Sequence, residues 1–187
     1  MSFFQAKEWW RNNADEHVGN HALAITPQNL ILTATHKGIV RLFHPKGKDY
    51  APDHLALEQS VHLPVLALAL GSFLADNAAA ATVALLHPRG LTVHELVQPA
   101  DAAPRGGGGA RHGPAPGYHA LAQMYGLELE RPCCNIACGP FGGADSRTDG
   151  ICVQSMDGVL SIVENERVAR ERQLTKFLLP GPLHYSK

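Results

Sequence analysis

Four cysteines, Cys133, Cys134, Cys138 and Cys152, fall within twenty residues and are the densest group of chemically capable side chains. Thiolates hold zinc when they come in pairs two to four residues apart on turns. Cys133 and Cys134 are adjacent instead, so an extended backbone sends them to opposite sides. Cys138 and Cys152 fall inside apolar runs, where a free cysteine is a small hydrophobe. No metal and no cofactor are expected. The eleven histidines run from His17 to His184 without a His-x-His or His-Glu-x-x-His spacing, and no Gly-x-Ser-x-Gly elbow presents a nucleophile. Gly106 to Gly109 lacks the Gly-Lys-Ser/Thr that completes a phosphate loop and reads as a linker. Asp145, Asp149 and Asp157 lack the spacing of a calcium loop. A nucleophile, a base and an orienting acid cannot be assembled, so no catalytic residue is named and the chain reads as a non-enzyme.

The residues build hairpins instead. Gly139 to Glu164 holds two β-rich runs, Ile151 to Met156 and Val159 to Glu164, joined by Asp157-Gly158. Asp-Gly between such runs predicts a two-residue type I′ turn with φ > 0 twice. The unit recurs at Ile31 to His44 around Gly38, and at Val83 to Leu96 around Gly90, with turn glycines spaced 52 and 68 residues apart. Gly71 and Gly139 each stand nineteen positions before a turn glycine and two before an aromatic, Phe73 and Phe141. An apolar run precedes each hairpin: His21 to Ile25, Val65 to Leu70 and Asn135 to Cys138. Fourth extended pieces are read at Leu55 to Val61, Tyr125 to Arg131 and Lys176 to Leu179.

Four short strands per unit at this spacing predict an all-β fold, a partial β-propeller of about three four-stranded antiparallel blades. The blades fall at about 21–61, 64–131 and 133–179. Ile39 to Phe43 and Val159 to Val163 are apolar on both faces, as strands covered on both sides are. A β-sandwich of short strands is the structural competitor. Three blades do not close a ring, so further blades or partners are expected over the open faces. Gln98 to Gly117, rich in glycine and proline, is expected to be a flexible loop. Ser2 to Asn12 is predicted to form a short helix, with Ser2 as its cap and an aromatic stripe including Phe3, Phe4, Trp9 and Trp10. Those four aromatics are the candidate interface residues, and Gly38, Gly90, Asp157 and Gly158 the candidate structural turns.

The formal net charge of −1 carries no basic footprint for nucleic acid or an anionic membrane. The longest apolar run, Leu63 to Leu74, is broken by Pro64, Gly71 and Ser72 and is too short for a membrane span. The first residues lack a basic stretch followed by an apolar one, which speaks against a secretory signal, and four cysteines without a disulfide-type framework suit a reduced, cytoplasmic compartment.

The opening MSFFQAKEWW, the run ACGPFGG, the hairpin ICVQSMDGVLSIVE and the ending FLLPGPLHYS together resemble the amino-terminal propeller of the Bardet-Biedl syndrome protein 9 family, also called the parathyroid hormone-responsive B1 family. The matched positions are Trp9 and Trp10; Gly139, Phe141, Gly142 and Gly143; Gln154 to Gly158; and Leu178 to Leu183. The resemblance covers the whole chain in order and diverges most in blade one and the glycine-rich loop. Family members continue well past this length. The resemblance implies a non-enzymatic scaffold subunit of the BBSome, a coat-like complex that moves membrane proteins into and out of cilia. It implies other BBSome subunits as partners, and indirectly an Arf-like small GTPase, ciliary membrane-protein cargo and the membrane surface. It places the protein in the cytoplasm and at the cilium, basal body and ciliary membrane. The alternative is a WD-like propeller that binds peptides at its central mouth, although the Trp-Asp dipeptide is absent. A hydrolase-type propeller would need acids and histidines converging at the axis.

Overall fold

The structure, a computed structural model, describes residues 7–13, 16–74, 82–97, 119–141, 148–164, 166–174 and 183–186. Twelve strands follow one another: β1 (Val18–Ile25), β2 (Ile31–Thr35), β3 (Ile39–Phe43), β4 (Leu55–Ser60), β5 (Ala67–Gly71), β6 (Thr82–His87), β7 (Gly90–Val97), β8 (Ala120–Glu128), β9 (Cys133–Gly139), β10 (Gly150–Ser155), β11 (Val159–Glu164) and β12 (Arg167–Gln173). They form three antiparallel four-stranded units in up-and-down order, β1–β4, β5–β8 and β9–β12. The first strands of the units stand side by side. β1 meets β5 in parallel at His21 and Ala67, and β9 reaches β5 through the Cys138 thiol, which donates to the Leu70 carbonyl at 3.0 Å. Sheets whose first strands run parallel about one line while their faces stack are blades around an axis. The predicted partial propeller is therefore the fold.

Stacking explains the apolar strands. All six residues of β6 and of β10 are buried, because each is a middle strand with a neighbouring blade or chain segment on both sides. Two clusters result. Leu32, Val40 and Leu42 of blade one meet Val83, Leu85 and Leu96 of blade two. Leu86, Leu91 and Val93 of blade two meet Ile136, Ile151, Val153 and Val163 of blade three. Removing one such leucine from water contributes about 1.5–3 kcal/mol.

Polar ties supplement the apolar seams. The Gln59 amide of β4 donates to the Leu121 carbonyl at 2.9 Å and accepts from the Leu121 N–H at 3.0 Å, copying one rung of a sheet between blades one and two. Ser72 and Asp149 do the same between blades two and three: the Ser72 N–H donates to Asp149 Oδ2 at 3.0 Å and the Asp149 N–H to the Ser72 carbonyl at 2.8 Å.

Three expectations need correction. Hairpins β2–β3 and β10–β11 close with three-residue loops, 36–38 and 156–158, rather than two-residue type I′ turns. Only the glycine takes positive φ, 77° at Gly38 and 87° at Gly158, while Asp157 does not. The cause is a hydroxyl three positions before each glycine: Thr35 Oγ1 accepts from the Ile39 N–H at 3.2 Å, and Ser155 Oγ from the Val159 N–H at 2.8 Å. This is the type I turn plus left-handed glycine arrangement. In blade two the hairpin turns at Pro88-Arg89, and Gly90 opens β7 opposite His87 without positive φ. The fourth strand of blade three is Arg167–Gln173, not Lys176 to Leu179, which lies outside the described residues. The expected N-terminal helix is absent from its described part. There the Arg11 N–H donates to the Lys48 carbonyl and the Tyr50 N–H to the Arg11 carbonyl, both at 3.0 Å, so the segment is extended. The glycine-rich stretch 98–117 lies outside the described residues.

Candidate interaction surface

Trp10 is held by the segment it runs beside. Its ring lies 5.3 Å from Phe43 and 6.2 Å from Tyr50, and its Nε1–H donates to His54 Nδ1 at 3.3 Å. Phe43 and His54 are buried beneath it. Trp10 therefore anchors the strap 7–13 on blade one, whereas Trp9 beside it is 50% exposed. Phe3 and Phe4 lie outside the described residues. Ion pairs Arg11–Asp49 at 2.8 Å and Lys48–Glu8 at 3.1 Å join the strap to the same loop, but both are exposed and contribute little.

The strap borders a groove of about 780 Å³ on the face of blade one turned away from blade two. Its floor is apolar, with Leu23 56% and Ile25 53% exposed beside Ile31, Phe43 and Leu55. Arg11 stands at its rim with the strap, and Arg41 lies deeper within it. Arg41 Nε donates to Glu58 Oε2 at 2.6 Å and Nη1 to Glu16 Oε2 at 3.2 Å. Burial works to lower the guanidinium, but the two carboxylates outweigh it and hold it above its ordinary value. Sequence reasoning missed this face. The signal was the alternation through β1, where Ala22 joins the core while Leu23 and Ile25 face out.

The opposite end differs. On blade three the outward positions Asn135, Cys152 and Gln154 are buried. Tyr185 packs there, its ring edge-on to Phe141 at 5.0 Å and so close that a Cβ on Gly139 would lie 2.6 Å from it. Glycine at that position is required by this approach.

The residues singled out for chemistry are dispersed. Cys133, Cys134 and Cys138 each donate to a main-chain carbonyl, of Arg131, Gln154 and Leu70. Burial raises all four thiols, Cys133 to about 11, which keeps them protonated and unreactive. Among the described residues no group of three or more potential metal ligands converges. Asp157 binds Arg131 and accepts from Ser155 Oγ at 2.5 Å, which holds its carboxyl below the usual range. Two histidines do meet. His87 Nδ1 lies 2.9 Å from the Pro64 carbonyl, its Nε2 2.9 Å from Thr92 Oγ1, and His94 Nε2 3.0 Å from the same hydroxyl. Burial lowers both imidazoles; that of His94 falls to about 4, with the proximity of His87 adding to the effect.

The arrangement offers an apolar, partly charged surface and no reaction centre among the described residues. Comparison with solved structures finds the same fold: the crystal structure of BBS1N in complex with ARL6DN, soaked with lead, superposes with a TM-score of 0.53 at 9% identity, over 92% of this chain and 47% of that one. Its mercury-soaked counterpart gives 0.50 at 11% identity, over 93% and 45%. Among curated proteins, Protein PTHB1 of Xenopus laevis is 34% identical across 100% of this chain and 22% of its own length. The Homo sapiens and Mus musculus proteins are each 33% identical, over 21% of theirs. The chain thus spans about a fifth of the relatives it matches. The profile of the PTHB1 N-terminal family matches residues 1–187, and the chain belongs to that family.

Proposed function

We propose that this chain is a non-enzymatic scaffold segment of a BBSome-type coat, which carries membrane proteins to and from cilia. The observation that carries the reading is the face of blade one: Leu23 and Ile25 lie exposed around a half-buried Arg41–Glu16–Glu58 cluster, a surface suited to protein contact. Family membership and the propeller fold shared with BBS1N support it. Other BBSome subunits are the direct partners, with Trp9 at the edge of the contact. The reading takes an Arf-like small GTPase, ciliary membrane-protein cargo and the membrane surface as indirect partners, and the solved complex of BBS1N with ARL6DN is in keeping with the first. The protein works in the cytoplasm, at the basal body and at the ciliary membrane, without nucleic acid, metal or cofactor.

Purification from ciliated cells of a tagged protein carrying this chain tests the reading. Recovery of the other subunits in comparable amounts is expected. Recovery of the tagged protein alone, with ciliary receptors correctly placed after its deletion, overturns it.

A further inference from the structure

His87, Thr92 and His94 stand on the side of β6 and β7 turned to blade one, in the same rows as Val83, Leu85 and Leu96. Their hydrogen bonds run in one direction only. The Pro64 carbonyl can only accept, so His87 Nδ1 carries the hydrogen and its Nε2 is the acceptor. The Thr92 hydroxyl must then donate to His87 Nε2, which leaves its oxygen to accept from His94 Nε2–H. His94 Nδ1 ends the chain as a bare lone pair, buried and without a partner among the described residues. Both imidazoles are 3% exposed, so water does not compensate either ring freely.

The geometry points to a proton-sensitive seam: the His87–Thr92–His94 chain seats blade two against blade one only while both imidazoles are neutral, and a proton taken up by either one releases that contact. A proton on His87 Nε2 turns both ring nitrogens into donors, and the Thr92 oxygen then faces two N–H groups while its own hydrogen has no acceptor. A proton on His94 Nδ1 puts a charge and a new donor into the apolar cluster that fills the seam.

Among the described residues no carboxylate stands ready to take that charge. Across from His94 lie Val83 of β6 and Gln123 of β8. The acid on this side of blade two, Glu128, is exposed and opposite Gly90, two strands from His87. Glu95 lies on the other face of β7, next to Thr82. In blade one, Arg41 and Glu58 occupy the far face with Glu16, His21 points the same way as Leu23, and Gln59 is engaged with Leu121. His36 and Lys37 on the β2–β3 turn and His62 in the link are exposed. His119, at the outer edge of the same seam, is itself lowered by burial and then by His44.

Amide hydrogen exchange of the full chain at pH 7.5 and pH 5.0, corrected for the intrinsic rate, tests the seam. An imidazole with its ordinary value of 6.5 when opened and about 4 when closed favours opening about thirtyfold more at the lower pH. That rise is expected in β2–β3 and β6–β7 and not in β10–β11. His94→Gln keeps an N–H for Thr92 and cannot titrate, so most of the rise should vanish. Protection that ignores pH, a rise shared by all three blades, or an unchanged response in His94→Gln each overturn the proposal. Imidazole ¹⁵N shifts of the unaltered protein at neutral pH give a second reading without a variant: hydrogen is expected on Nδ1 of His87 and Nε2 of His94, and the opposite tautomer on either ring refutes the chain.

Discussion

The two seams of this molecule are built differently from strands that look alike. Between blades two and three, Leu86, Leu91 and Val93 meet Ile136, Ile151 and Val153, and the polar tie of Ser72 with Asp149 joins two loops outside that cluster. Between blades one and two, the apolar cluster shares its space with His87, Thr92, His94 and the Gln59 amide. An apolar seam depends on volume and packing alone, whereas a polar one depends also on every donor finding its acceptor. On the proposal above the second is conditional on pH, and the first, with no imidazole in its cluster, is expected to respond less.

The largest effect should come from packing, and it should be blind to the difference. Leu91→Ala in the apolar seam and Leu85→Ala in the polar one each remove a fully buried side chain and should cost about 2–5 kcal/mol in urea unfolding at any pH. A strongly pH-dependent Leu91→Ala deficit would mean that the apolar seam is not what it looks like. Next comes acid. His94 is depressed in the folded state, so its contribution is fully present above the free value of 6.5 and is lost as pH falls from 6.5 toward about 4. The total is about 3 kcal/mol, and unfolding titrations between pH 7.5 and 4 should recover most of it. His94→Gln should flatten the curve.

Thr92→Val sharpens the contrast further. It keeps the shape but strips the hydroxyl that both histidines use, leaving two buried groups unpaired at about 2 kcal/mol. The smallest effect expected is at a hairpin that touches neither chain of contacts. Gly158→Val forces a β-branched residue to φ 87° and should cost about 1–2 kcal/mol by thermal unfolding, independent of pH. An unchanged melting temperature would mean that the turn is not as described.

How far a bare reading reaches can be judged element by element. The hairpins around Gly38, Gly90 and Gly158 and the propeller repeat were legible, because middle strands covered on both sides need apolar residues throughout. β12 was not. Arg167–Gln173 is exposed along its whole length and carries no apolar face to betray it. The turn type was misread at Asp157-Gly158 because Ser155, not the dipeptide, governs how the loop closes. The helix expected at the N-terminus rested on Ser2 as a cap and on its aromatics, yet the adjacent Trp9 and Trp10 face differently along one extended strap, Trp10 packed and Trp9 exposed. Leu23, Ile25 and Arg41 went unnoticed as a surface, since one strand's alternation does not say which side a neighbour will cover.

Local chemistry was enough to write the hairpins and the apolar middle strands into the chain, because φ preferences and side-chain polarity act within a few residues. The pairing of His87 with His94 through Thr92, the open face of blade one and the seat of Tyr185 over Gly139 arose only when distant strands were laid against each other. Burial and hydrogen-bond partners are properties of what stands across a seam, and that neighbour is chosen by the stacking of whole sheets.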